Sequence, residues 1–344
     1  MKEVDRVKPK AVYASYAEEV DVHANTKIQT IQQNEMTYRV TGVDGEGTVD
    51  VFQLFPGVIL QFHNFHCKSF QLGNAPENHV SEGLKINYCL EGRMEVRMSD
   101  GLCLFMTPGK ISLDVRTIQD RFQFPSGHYR GVELFLHYSL LEQDMPDVWK
   151  FFSIDIRELQ SRFCREDKSY VIGVDERLKS LFESLLDAPY EQKADYFRIK
   201  ITELLFLLQS MKTPGRNDTS SLMTIGQVEI AKQVMEVMTK ELHQHFSIEE
   251  LARPFGISAS SVQNYFQGVY GKNISTFLKE TRMSTAADML TNSVLPIAEI
   301  ALTVGYENAS KFASAFKKFY GISPSEYRRQ CRCGIKSIDI HQIT

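Results

Sequence analysis

Two groups of side chains in the last third of the chain have the types and the spacing to read the edges of nucleic-acid base pairs. Ser260, Gln263, Asn264 and Gln267 form the first group; Ser310, Ser314 and Lys317, with Ala313 among them, form the second. Steps of three and four residues place each group on one face of a helix. A carboxamide pairs bidentately with adenine, so Gln263 and Asn264 are the sharpest candidates for base reading, while hydroxyls are less selective. Lys272, Lys311, Lys318, Arg328 and Arg329 are the cations placed to neutralise phosphates, a large part of the affinity for such a polymer.

These faces need elements to hold them, and the surrounding sequence supplies the elements twice. Ile248, Leu251, Ala252 and Gly256 match Ile297, Ile300, Ala301 and Gly305 at an offset of 49. Val262, Phe266, Tyr270 and Gly271 match Phe312, Phe316, Tyr320 and Gly321 at an offset of 50. Each copy reads as a short helix, a turn whose glycine takes positive φ, and a longer helix. Periodicity turns Val262, Phe266 and Val269 inward, and likewise Phe312, Phe316 and Phe319, which leaves the polar groups outward. Ser247 with Glu250, and Ser323 with Glu326 behind Pro324, have the spacing of capping boxes that fix two helix starts. Pro254 removes a backbone donor and predicts that the first bracing helix stops before Gly256. A helical stretch over 274–290 joins the two copies and sets the distance between them.

The segment from Val228 to Arg329 resembles the AraC/XylS transcriptional regulators, most specifically over Ile297–Gly305 and the run from Tyr306 that closes in Ser323-Pro-Ser-Glu-Tyr-Arg328. The resemblance implies a DNA-binding module of seven helices whose two recognition helices enter successive major grooves on one side of double-stranded DNA. It further implies a regulator of transcription, expected to be an activator, with RNA polymerase as a partner. Two departures stand out: Ser314 occupies a place where family members often carry Arg, and Ser260 one where a larger side chain is common.

Ahead of this module, short apolar runs alternate with Gly, Pro and Asp from about residue 50 to 140, as in Leu84–Leu90, Met94–Met98, Leu102–Met106 and Val132–Tyr138. That pattern predicts antiparallel strands in a sandwich or small barrel, and its layout resembles the cupin-like effector and dimerisation domain of the same family. Leu178, Leu181, Phe182 and Leu185, then Phe197, Ile201, Leu204, Leu205 and Leu208, mark two amphipathic helices that either cover the sheet, pair with a second copy of the chain, or do both. For a small-molecule effector inside the barrel, Tyr88, Phe105, Phe135 and Tyr138 are the expected lining, with Arg93, Arg130 or Glu133 to orient a polar ligand. His63, His66, Cys67, His79 and Glu82 fit no strong metal-ligand pattern, so neither a metal nor a cofactor is expected. No nucleophile motif or phosphate-cradling glycine loop is present, so no enzyme activity is expected. Two other readings stay open: a front half that only dimerises or binds a partner protein, and a metal-dependent cupin enzyme fused to the DNA-binding module.

Length and composition agree with this division. At roughly 100 to 200 residues per domain, 344 residues allow about two domains: an α+β chain with a β-rich domain over 1–212, a polar linker over 213–224, an all-α tandem helix-turn-helix domain over 225–330 and a tail over 331–344. The net charge of -4 announces no partner. The helical segment holds 11 basic against 10 acidic side chains, so its positive charge must be concentrated on one face. Met1–Lys10 lacks the apolar stretch of a secretory signal and no run is long enough for a membrane helix, which makes the cytoplasm the expected address. Six cysteines spread over the whole chain read as reduced thiols; Cys331 and Cys333, near the end, lack further close ligands for a metal.

Overall fold

Alternation of apolar and polar residues builds the first part of the chain. The computed structural model describes residues 26–31, 35–71, 83–97, 101–115, 121–164, 170–211 and 222–332, and the chain divides into two units, Met1–Leu222 and Met223–Thr344. In the first unit the strands are β1 (Thr26–Ile31), β2 (Glu35–Gly42), β3 (Gly45–Phe55), β4 (Val58–His66), β5 (Ser69–Gln71), β6 (Gly83–Gly92), β7 (Met94–Arg97), β8 (Leu102–Met106), β9 (Lys110–Asp114), β10 (Arg121–Gln123), β11 (Tyr129–His137) and β12 (Tyr170–Gly173). Eight of them pair antiparallel in the order β1-β2-β3-β4-β11-β6-β9-β12, and β8-β7-β10-β5 form a second antiparallel sheet.

The two sheets share a core. Met36, Tyr38, Val49, Val51, Ile59 and Phe65 of the large sheet meet Phe70, Met94, Leu104 and Met106 of the small one, with Phe124 between them. The front half is therefore a β sandwich followed by helices, as its patterning predicts, but the strands begin earlier, at Thr26 rather than near residue 50. β1 (TKIQTI) lies at the sheet edge, where weaker apolar alternation suffices, while β2 beside it alternates more clearly. Tyr138 also departs from the expected strand: it opens the short helix α1 (Tyr138–Gln143), which α2 (Asp147–Phe151) and α3 (Ile156–Phe163) follow.

The other face of the large sheet is covered by α4 (Glu176–Leu186) and α5 (Lys193–Ser210). Asp175 caps α4 by accepting from the Leu178 amide at 3.0 Å. All nine apolar positions of the two predicted stripes are buried, each worth about 1.5 to 3 kcal/mol on leaving water. Phe182 stacks on Tyr88 with centroids 4.2 Å apart, and Phe197 meets Phe52 edge-on at 4.9 Å.

This packing separates the residues expected to line an effector pocket. Alternation places Tyr88 among the helices and Phe135 toward the core between the sheets, on opposite faces of the large sheet. Tyr138 also lies on the helix side, with the Arg157 guanidinium 3.8 Å above its ring, and borders a cleft of about 430 Å³. Phe105 is fully buried in the small sheet with Arg93 5.7 Å from its ring centroid. Arg130 pairs with Glu91 at 3.1 Å and borders a different cleft of about 240 Å³ beside Phe52, Phe62 and Lys193, while Glu133 is half-buried. The seven side chains thus do not converge on one cavity.

Among the described residues, no three His, Cys, Asp or Glu side chains gather in a way that could hold a metal ion; His79 and Glu82 lie outside those residues. His66 is exposed, and His63, 3.4 Å from Gln61 Oε1, is pushed below the usual imidazole range by desolvation, which Glu133 partly offsets. Cys67, Cys89, Cys103 and Cys164 are buried thiols in no disulfide, and burial pushes Cys89 up to about 12, which leaves it protonated at neutral pH. No described helix is long and apolar enough to cross a membrane.

The chain's single tryptophan, Trp149, is fully buried and donates from Nε1 to Thr202 Oγ1 at 2.9 Å. Thr202→Val removes that acceptor without changing the shape of the site and is expected to destabilise the first unit by about 1–3 kcal/mol. A urea titration followed by Trp149 fluorescence measures the change.

Candidate nucleic-acid interface

Seven helices make up the described part of the second unit: α6 (Ile225–Lys240), α7 (Ile248–Ala252), α8 (Ala259–Tyr270), α9 (Ile274–Asn292), α10 (Ile297–Thr303), α11 (Ala309–Tyr320) and α12 (Pro324–Arg332). Polar caps set their starts. Ser247 accepts from the Glu250 amide at 3.1 Å while Glu250 returns to the Ser247 amide at 2.8 Å, and Ser323 and Glu326 repeat the exchange at 3.3 and 2.8 Å. Ser258 caps α8 and Asn308 caps α11. Thr224 with Gln227 forms a further capping box at the start of α6.

The bracing helix α7 ends at Ala252, where Pro254 shifts the chain into a 3₁₀ turn over Arg253–Phe255, and Gly256 then takes φ 64°. Gly305 does the same in the second copy at φ 81°. Both longer helices stop at a left-handed glycine, Gly271 and Gly321. In α8, Val262, Phe266 and Val269 are buried; in α11, Phe312 and Phe316 are fully buried. Phe319 is only half-buried, and Tyr320 takes the deep place instead, its hydroxyl donating to Met283 O at 3.4 Å.

The opposite faces stay in solvent. Ser260, Asn264 and Gln267 on α8 are exposed and Gln263 is half-buried; Ser310, Ser314 and Lys317 on α11 are exposed and Ala313 is half-buried. Each helix therefore presents one polar edge, and the pair of edges comes from one repeated helix-turn-helix unit. Residues 251–330 match the family model described as a helix-turn-helix domain.

The chain carries an AraC-type helix-turn-helix domain.

Similar proteins include the uncharacterized HTH-type transcriptional regulator YdiP of Escherichia coli K12, 34% identical over 101 residues, which cover 29% of this chain and 33% of that protein. The virulence regulon transcriptional activator VirF of Yersinia enterocolitica is 27% identical over 131 residues, 38% of this chain and 48% of that protein. Among solved structures, the C-terminal domain of AraT, a response regulator from Geobacillus stearothermophilus, is 30% identical and covers 33% of this chain and 90% of that one, with a TM-score of 0.29. The chain spans from a third to about half of the length of these curated relatives.

Within the AraC-type domain the expected phosphate contacts divide into three kinds. Lys318 and Arg329 are exposed. Lys272 pairs with Glu280 at 2.7 Å and Lys311 with Glu307 at 2.6 Å, but exposed ion pairs contribute little and exchange readily for a phosphate. Arg328 differs: it is half-buried and donates from Nη2 to Leu295 O at 2.7 Å, so it holds the loop ahead of α10 and does not reach outward. A surface charge and a loop-tying charge are the same letter in the sequence. Arg253, exposed in the 3₁₀ turn, and Arg282, buried within α9, were not among the candidates, although Arg282 stands out in the sequence as a charge beside the apolar positions Met283, Ala286 and Leu290. Cys331 is half-buried, 3.5 Å from Thr291 Oγ1, and Cys333 lies outside the described residues.

Hydrogen bonds from Ser247 and Ser323 hold the Glu250 and Glu326 carboxyls below the usual range. A carboxylate lowered in the folded state stabilises it above the unfolded value, and that stability is lost as pH falls through the folded value. Replacing both with Gln, which keeps an acceptor but does not titrate, is expected to flatten the fall in the domain's melting temperature between about pH 5 and pH 3. Thermal melts across that range check it.

Proposed function

We propose that the protein is a sequence-specific regulator of transcription that places α8 and α11 in successive major grooves of double-stranded DNA. The observation that carries this reading is the pair of solvent-facing polar edges on helices whose other sides are fixed by buried aromatics. Ser260, Gln263, Asn264 and Gln267 would meet bases in one groove and Ser310, Ser314 and Lys317 in the next, while Lys272, Lys311, Lys318 and Arg329 engage phosphates. Relatives named as activators, among them VirF and the activator RhaR of Mannheimia succiniciproducens, favour activation with RNA polymerase as partner. A regulator of this kind works in the cytoplasm.

The front half would govern DNA binding through an effector or through dimerisation. Dimerisation is favoured by apolar residues left in solvent on α5, Ile199 at 66% and Phe206 at 47% exposure, with Phe152 packed edge-on against Phe206. They lie outside the stripe that covers the sheet, so a second copy of the chain could bury them. A regulator that needs no effector is the second reading, favoured by the core between the sheets, where Phe65, Phe70, Phe124 and Tyr129 pack ring against ring.

Binding-site selection on the full-length protein tests the base-reading assignment. Gln263→Ala is expected to relax preference at one operator position by about 1–3 kcal/mol and leave the others intact. Lys318→Ala is expected to weaken binding to all sequences alike and to lower the salt slope by about 1. Unchanged preference in the Gln263 variant would remove that residue from the reading face.

A further inference from the structure

We infer that Arg282 is a positioning residue that fixes the separation of the two recognition helices and hence the half-site spacing that the protein accepts; this rests on the two-groove reading proposed above. The connector α9 belongs to both copies. Near its start, Phe277 packs against Phe266 and Tyr270 of the first copy, with ring centroids 5.2 and 5.1 Å apart. Its later turns join the second copy, where Met283, Ala286, Ala287 and Leu290 share a core with Ile300, Phe312 and Phe316. Arg282 sits where one core gives way to the other, and it is buried.

Its guanidinium donates from Nε to Leu242 O at 3.0 Å and from Nη2 to Gln244 O at 2.8 Å, both in the loop that leads from α6 into the first bracing helix. On the other side lies the turn of the second copy. A Cβ added to Gly305 would sit 2.5 Å from Leu242 O and 2.6 Å from Arg282 Nη2, so this turn presses directly on the loop and on the guanidinium. The matching Gly256 has nothing within 4 Å of such a Cβ. One glycine of the repeat thus serves its own turn alone, while its duplicate also seats one helix-turn-helix unit against the other. The planar fork of arginine fits two carbonyls in one fixed geometry, which a flexible ammonium does not reproduce. A buried charge tied in this way permits one arrangement of the two units, because sliding them apart would strand the guanidinium and two carbonyls without partners.

The test uses the full-length chain and a DNA library in which both selected half-sites are fixed and the spacer varies by single base pairs. Each added pair moves the second half-site by about 3.4 Å and about a tenth of a turn. Wild type is expected to bind either neighbouring spacing about tenfold more weakly than the preferred one, and Arg282→Met less than about threefold, with affinity for an isolated first half-site unchanged. A side chain that only stabilised the fold would lower binding at every spacing equally and leave the ratio intact. Arg282→Lys, which keeps charge and length, provides the same comparison if the Met variant does not fold. Retention of the wild-type ratio by the variant that folds overturns the inference. A wild-type protein that selects only one half-site overturns the two-groove reading instead.

Discussion

A helix has one side to bury, and Phe266 and Phe316 decide which side that is. Each is fully buried at the same place in its copy, ringed by Tyr270 and Phe277 in one case and by Phe312, Tyr320 and Tyr327 in the other. Truncating such a ring in a packed core costs about 3–5 kcal/mol, a large part of the stability of a small domain. No polar contact on the outer face competes with that. The outward edge is therefore a consequence of the core, and its side chains are free to be chosen for a partner.

The two copies share this frame but offer different chemistry on it. The first edge is rich in carboxamides and hydroxyls and carries no charge at the reading positions; the second has a lysine and two serines. Carboxamides discriminate bases, whereas a lysine adds affinity with less information. Under the proposed two-groove reading, the first copy would contribute more to base discrimination and the second more to affinity. The near-balance of charge in the domain fits a protein whose specificity comes from edges and from a fixed separation, and less from a large basic surface.

Much of the DNA-binding domain was legible in the sequence because its signals are local. Capping serines, left-handed glycines, Pro254 and the i, i+3, i+4 aromatic spacing each act within a few residues. The front half was legible as class but not as arrangement. Its strands were visible where apolar runs stand between turn residues, in β6 to β8 and β11, and not at the edge in β1. The effector candidates failed to converge because alternation assigns Tyr88 and Phe135 to opposite faces, a consequence of register that a list of aromatics does not carry. Arg328 and Arg282 show the same limit: their partners, Leu295, Leu242 and Gln244, lie 33 to 40 positions away in the chain.

Chemical protection of guanine N7, which faces the major groove, tests the central claim most directly when the full-length protein is bound to a selected operator. Two protected clusters on one face of the duplex, about 10–10.5 base pairs apart, are the expected result. Protection confined to one cluster, or clusters on opposite faces about half a turn apart, would contradict the placement of both helices in successive grooves.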